Sequence, residues 1–187
     1  SSQAVLSPDE QEVGVVLVDI GGGTTDVTIY SEGSIVHTAV LALGGNHLTH
    51  DIAIGLGAPL REAEEIKHKY GLAMASMVEE DEMIDVPSVG GRNNRTMQKK
   101  VLASIIEDRF REIFELIAHE IEKTHFHTLM ASGVVITGGS CIMPGADLLA
   151  SQVLNLPVRV GYPENISGLR EMIYSPKYAT SVGLVRY

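Results

Sequence analysis

The chain has 187 residues, 44% of them apolar, with a net charge of −10. That is enough apolar material for one domain, or two small lobes, around a sizeable core, and it excludes wholesale disorder. The acidic balance excludes broad nucleic-acid binding, which needs a basic footprint, so an anionic ligand has to be held locally by backbone and a few cations.

Ser1 to Glu12 are polar and carry no basic-then-apolar signal pattern. Nowhere does an apolar run approach the about 20 residues of a membrane-spanning helix. An apolar run from Val13 to Ile20 predicts the first strand. It enters Asp19-Ile20-Gly21-Gly22-Gly23-Thr24-Thr25-Asp26, which reads as the tip of a β-hairpin. Glycines there weaken the strand, and in return they expose backbone N–H groups that can approach a ligand closely, the usual cradle for phosphate. Thr24 and Thr25 could add hydroxyl donors, and Asp19 could hold a hydrated Mg²⁺. A plain glycine-rich turn is the competing reading.

Val27 to Tyr30 and Ile35 to Leu41 predict two more strands, turned at Ser31-Glu32-Gly33-Ser34. Three strands with tight connections make an antiparallel meander. Gly44-Gly45 then opens a helix through Leu48, Ile52 and Leu56, ended by Gly55 and Gly57. His47 and His50 stand three apart on it, but no further ligand accompanies them. Pro59 suits the first turn of a second helix through Ala63, Ile66 and Tyr70, with Gly71 as C-cap. Glu64 and Lys67 share a face of that helix, which by spacing alone is a surface ion pair.

The acidic run Glu79 to Glu82 reads as a solvated loop before a short strand, Met83 to Val86, and Pro87 to Arg95 as an exposed loop. The longest helical signal follows: Val101, Leu102, Ile105, Ile106, Phe110, Ile113, Phe114, Ile117 and Ile121 form one apolar stripe that faces a core. Arg92, Arg95, Lys99 and Lys100 gather four cations near its start; they are either a solvated loop or a docking patch for an acidic peptide. His125 and His127, with Phe126 between them, suit a helix C-terminus.

Val134 to Thr137 predicts a buried strand ending in a second glycine turn, Gly138-Gly139-Ser140. The one cysteine, Cys141, cannot form an internal disulfide, which fits a reducing compartment, and its apolar neighbours make it an inert thiol rather than a nucleophile. Past Pro144-Gly145 come a helix through Leu148, Leu149 and Val153, a strand from Val158 to Val160, and a closing helix from Tyr178 to Tyr187. Strand, glycine turn and helix is the geometry in which ligands sit at strand C-terminal ends. A meander continued by crossovers gives a mixed α/β sheet. We expect residues 13–45 and 125–187 to form the core, with 46–124 inserted as a smaller α+β subdomain.

In combination these motifs resemble the actin-like ATPases, the superfamily of actin, Hsp70-type chaperones and sugar kinases, whose lobes have a ribonuclease H-like fold. Within it the pattern is most similar to the FtsA family of bacterial cell-division proteins. The resemblance rests on Asp19 to Asp26, Ala63-Glu64-Glu65-Ile66-Lys67, Tyr70-Gly71, Pro87-Ser88-Val89-Gly90-Gly91-Arg92, Thr137-Gly138-Gly139 and Tyr178-Ala179-Thr180-Ser181-Val182-Gly183-Leu184. It spans nearly the whole chain from Val13.

The resemblance implies ATP and Mg²⁺ as cofactors. Gly21, Gly22, Gly23, Thr24 and Thr25 are then expected at the phosphates, and Asp19 and Asp26 beside the hydrated metal. Glu64 and Lys67 are implied at the ribose and adenine, with Gly138, Gly139 and Ser140 under the nucleoside and Ile142 and Met143 facing the base. It also implies that the inserted subdomain grips the C-terminal tail of the tubulin homologue FtsZ, which assigns Arg92, Arg95, Lys99 and Lys100 to docking. Further implied are self-association into actin-like filaments, contact with other divisome proteins, and a place on the cytoplasmic face of the inner membrane at the septum.

An actin-like protein has two lobes with ATP between them, and this chain matches the second. The first phosphate motif, the first-lobe catalytic acid and the amphipathic membrane helix of the family have no counterpart here. The chain is therefore expected to be a soluble part of a longer protein that binds nucleotide weakly and does not hydrolyse it. Two rival functions fit the superfamily less well. An Hsp70-type chaperone ATPase does not match the Val89 to Arg92 segment or the Tyr-Ala-Thr ending, and a sugar kinase needs a catalytic base near a substrate pocket.

Overall fold

The computed structural model describes residues 1–88, 90, 93–124, 131–164 and 173–186. Val89, Gly91, Arg92, His125 to Met130, Asn165 to Met172 and Tyr187 lie outside the described residues, and with them the expectations placed on Arg92, His125 and His127.

Two short helices, α1 (Ser2–Val5) and α2 (Pro8–Val13), precede the first strand. Neither was anticipated. α2 starts with a reciprocal capping box, in which Ser7 accepts from the Glu10 N–H and the Glu10 carboxylate accepts from the Ser7 N–H. The meander follows as β1 (Val15–Ile20), β2 (Thr25–Ser31) and β3 (Ser34–Leu41). Val13 closes α2 instead of opening β1.

Then come α3 (Gly45–Leu56), α4 (Leu60–Tyr70), a 3₁₀ turn over Ala75–Met77, and the antiparallel pair β4 (Met83–Val86) and β5 (Arg95–Gln98). The long helix α5 (Lys99–Lys123) leads on to β6 (Val134–Thr137), a 3₁₀ turn over Gly139–Ile142, α6 (Ala146–Leu154) and β7 (Val158–Val160). A 3₁₀ turn over Pro176–Tyr178 and the helix α7 (Ala179–Arg186) complete the described chain.

The main sheet runs β3-β2-β1-β6-β7, with β1 antiparallel to β2 and parallel to β6. It is the expected mixed sheet, a meander joined to crossover strands. β1 is central and buried on both faces, which is why it reads as a continuous apolar run. Val16, Val18 and Ile20 point to the face covered by α3, α5 and α6; Val15 and Leu17 point to the face covered by α1 and α7. Strand periodicity alone assigns these two sets to opposite sides.

The apolar stripe of α5 is core along its length, with Phe110 and Phe114 stacked 5.7 Å apart. Its C-terminal half lies on the main sheet, where His37 of β3 meets Glu120 at 3.3 Å. Its start is tied to the smaller pair of strands by Lys99 and Glu82 at 2.8 Å. One continuous core joins α3 and α5 to the sheet.

Candidate functional site

At the C-terminal ends of β1 and β6 the two glycine turns lie side by side. Gly21 N–H donates back to Thr24 O at 2.9 Å, closing the hairpin tip. The first amides of α3 then seize that tip: Gly45 N–H donates to Gly21 O at 2.9 Å and Asn46 N–H to Gly22 O at 2.7 Å. From the other turn, Ser140 Oγ donates to Gly21 O at 3.1 Å. Glycine is needed at Gly44, because a Cβ there would stand 2.7 Å from Gly21 O and 2.8 Å from Gly22 O. It is needed again at Gly138, where φ is +92° and a Cβ would meet Ile20 O at 2.5 Å.

Beside this junction a cleft of about 570 Å³ opens. Gly21 and Gly22 line it, with Gly45, Asn46 and Leu48 of α3. Glu64, Lys67 and His68 of α4 line it with Gly71, together with Gly139, Ser140, Ile142, Met143 and Pro144 around the second glycine turn, and Lys177. The volume suits a drug-sized or nucleotide-sized ligand.

Glu64 and Lys67 are not a loose surface pair. Lys67 Nζ is 2.7 Å from Glu64 Oε2, donates to Thr49 Oγ1 at 2.7 Å and to Gly45 O at 3.0 Å, and its side chain is 10% exposed. Thr49 also bonds Glu64 Oε2, and His68 Nε2 approaches Glu64 Oε1 at 2.9 Å. Burial pushes the Glu64 carboxyl up, but the hydrogen bonds from Lys67 and Thr49, with the charges of Lys67 and His68, outweigh it and hold the group below its ordinary value.

Of the residues singled out in the sequence, Gly21, Gly22, Glu64, Lys67, Gly139, Ser140, Ile142 and Met143 therefore share one cleft. Gly23 and Thr24 are exposed just beyond its edge. Asp19 and Asp26 face each other across β1 and β2, with Thr180 Oγ1 donating to Asp19 at 2.7 Å and Thr24 Oγ1 to Asp26 at 3.4 Å. Among the described residues no cluster of three metal-ligating side chains accompanies them.

Several of the singled-out groups already have partners within the fold. Thr25 is fully buried and its hydroxyl donates to Leu43 O at 2.8 Å, so it locks the hairpin to the segment before α3 and has no free donor for a phosphate. The Gly138 N–H donates to Pro176 O at 3.3 Å, so this glycine also permits a close approach of chains. Within the cation cluster, the Arg95 guanidinium donates to Leu56 O and Lys99 pairs with Glu82, leaving Lys100 exposed beside Glu79 to Glu82.

Asn46, His68 and Lys177 were missed. Asn46 was hidden behind the glycines that signalled a helix start. His68 lies next to Lys67 on the same helix end, and sequence spacing does not show which of two neighbours turns to a cleft. Lys177, whose Nζ lies 4.8 Å from the Tyr178 ring centroid, comes from a turn 38 residues after Gly139 and is joined to the site only by tertiary folding.

The fold and the cleft at the sheet end define an actin-like lobe. MreB5 of Spiroplasma citri bound to ADP superposes with a TM-score of 0.74 at 20% identity, covering 95% of this chain and 54% of that one. A PilM–PilN type IV pilus biogenesis complex gives 0.70 at 18% identity, covering 96% and 47%. At the level of sequence, the family described as Cell division protein FtsA matches residues 16–183, and the chain belongs to that family. Cell division protein FtsA of Pseudomonas aeruginosa is 44% identical over the whole chain, that of Escherichia coli 43% and that of Bacillus subtilis 39%. The chain spans about half the length of these relatives, 45%, 46% and 41% respectively.

Proposed function

We propose that this lobe supplies one wall of an ATP site in a cell-division adaptor of the actin-like class, and that the whole protein links FtsZ to the membrane at the septum and self-associates into filaments. The observation that carries the nucleotide reading is the convergence of two glycine turns, a carboxylate and cations on one cleft at the strand ends. Gly22, Gly23 and Thr24 are the outward-facing groups for phosphate, Glu64 faces the ribose, and Ile142 and Met143 offer an apolar surface to the base. Mg²⁺ fits Asp19 and Asp26 as an ion that keeps most of its waters and takes its remaining ligands from phosphate, which is how one or two carboxylates suffice. When bound, it would neutralise phosphate charge.

Docking of the FtsZ C-terminal tail is assigned to the inserted stretch, residues 46–124, through Arg92, Arg95, Lys99 and Lys100, of which Lys100 is exposed. The family membership favours this reading over a chaperone ATPase. Isothermal titration with ATP and Mg²⁺ tests the site. Weak, saturable binding reduced by Glu64→Ala is expected, and binding indifferent to that change overturns it. Capture of an FtsZ tail peptide, compared between wild type, Arg92→Ala and Lys100→Ala, tests the docking surface; equal capture by all three rejects it.

A further inference from the structure

We propose that Thr49 is a positioning residue of the cleft, which sets the Glu64 carboxylate for a ligand's vicinal hydroxyls through a strut made with Lys67. The proposal rests on the nucleotide reading above and adds a residue to it. Three polar side chains are buried among the described residues, and all are threonines: Thr25, Thr49 and Thr137. Two of them serve the backbone, Thr25 donating to Leu43 O and Thr137 to Gly161 O at 3.0 Å. Thr49 also lies 3.1 Å from a carbonyl, Gly45 O, but its single proton is donated to the nearer, charged Glu64 Oε2 while its oxygen accepts from Lys67, so the hydroxyl stands between the two charged side chains of the cleft wall.

The hydrogen-bond count on Lys67 assigns the roles. An ammonium has three N–H donors. Lys67 spends them on Gly45 O, Thr49 Oγ1 and Glu64 Oε2, with its side chain 10% exposed. Lys67 is thus turned onto the cleft wall itself, through two hydrogen bonds and an ion pair. Glu64 is 41% exposed; its Oε2 is held by Thr49 and Lys67 while, among the described residues, Oε1 meets His68 at 2.9 Å. A carboxylate oxygen accepts more than one hydrogen bond, so Oε1 keeps capacity for a hydroxyl donor. Thr49 and Lys67 thus fix the carboxylate from behind, and α3, which also grips the glycine hairpin, sets where it points.

The test compares ADP with 2′,3′-dideoxy-ADP, which lacks both hydroxyls, by titration against wild type, Thr49→Val and Thr49→Ser. Wild type is expected to prefer ADP. Thr49→Val is expected to lose affinity for ADP on the order of tenfold while binding the dideoxy nucleotide unchanged, and Thr49→Ser to restore the preference. A preference retained in Thr49→Val, equal weakening toward both nucleotides, or a serine variant that behaves like valine would each overturn the proposal. Should Thr49→Val fail to fold, Thr49→Ala carries the same comparison. A wild-type chain that binds neither nucleotide rejects the cleft reading itself, and Thr49 with it, a failure seen before any variant is made.

Discussion

Ser140 Oγ donates to the carbonyl of Gly21 at 3.1 Å, joining two glycine turns that lie 119 residues apart in the chain. The same carbonyl accepts from Gly45 N–H, so the hairpin, the second turn and the start of α3 meet at one oxygen. A Cβ on Gly45 would stand 2.6 Å from Ser140 Oγ. Ser140→Ala alone should cost about 1 kcal/mol, the worth of one hydrogen bond whose acceptor keeps a second partner. Gly45→Ala should be markedly less damaging in the Ser140→Ala background than in wild type. Urea unfolding of the four proteins in the cycle checks this, and strict additivity would refute the contact.

Gly138→Ala should be among the most damaging single methyl additions. It combines a left-handed φ of +92° with a Cβ 2.5 Å from the Ile20 carbonyl and 2.6 Å from Asp19 Oδ1. A loss of about 2 to 4 kcal/mol is expected from strain and the displaced backbone. Gly55→Ala is the contrast: its Cβ would meet the Ile105 Cδ1 methyl at 2.5 Å, the movable end of a side chain, so a much smaller loss is expected. Thermal melts of the two variants separate them.

Acid should destabilise the fold through three carboxylates held below their ordinary value of 4.5. Burial opposes the shift at Glu10 and Glu64, but Ser7 and Arg159 prevail at the first, Lys67 and Thr49 at the second; Lys123 and His37 lower Glu120. A depressed carboxyl contributes stability that is present above its unfolded value and is lost as pH falls through its folded one. Unfolding free energy should thus be level with respect to these groups near neutrality and decline below about pH 4.5. Glu64→Gln should make that decline shallower, as measured by denaturant titration at a series of pH values; an unchanged slope would exclude Glu64 from the linkage.

Cys141 should resist alkylation in the native chain. Burial, reinforced by the negative charge of Asp19, pushes its thiol up to about 12, and Sγ lies 3.1 Å from Gly138 O. The thiolate is the reactive form. Labelling with iodoacetamide at pH 8 should be slow in buffer and fast in denaturant; equal rates would show that the 3₁₀ turn carrying Cys141 opens freely.

The elements whose physics is local were legible in the sequence. β1 showed itself as an apolar run, α5 as an apolar stripe and the two glycine turns as breaks after strands, because periodicity and missing side chains are properties of neighbours in the chain. The capping box from Ser7 to Glu10 is equally local, a Ser followed three residues later by a Glu. The site was legible in its parts: eight of the residues singled out for a ligand line one cleft.

Their division of labour was not. Thr24 and Thr25 are adjacent and chemically alike, yet Thr24, in the turn, is exposed beyond the cleft edge, while Thr25, which opens β2, is buried on Leu43 O in the segment before α3. Arg95 and Lys99 looked like free cations until the fold brought Leu56 O and Glu82 to them. Lys177 joined the site from another turn altogether.

For the Asp19 to Asp26 glycine stretch, then, the residues alone determined a hairpin with bare backbone and acids on both flanks. Only tertiary structure decided which of its groups stay available. Gly21 N–H closes the turn, the Gly21 and Gly22 carbonyls cap α3, and Gly22, Gly23 and Thr24 remain outward. A hydrogen-bonding group's availability depends on what has been folded against it, and that partner can lie anywhere in the chain.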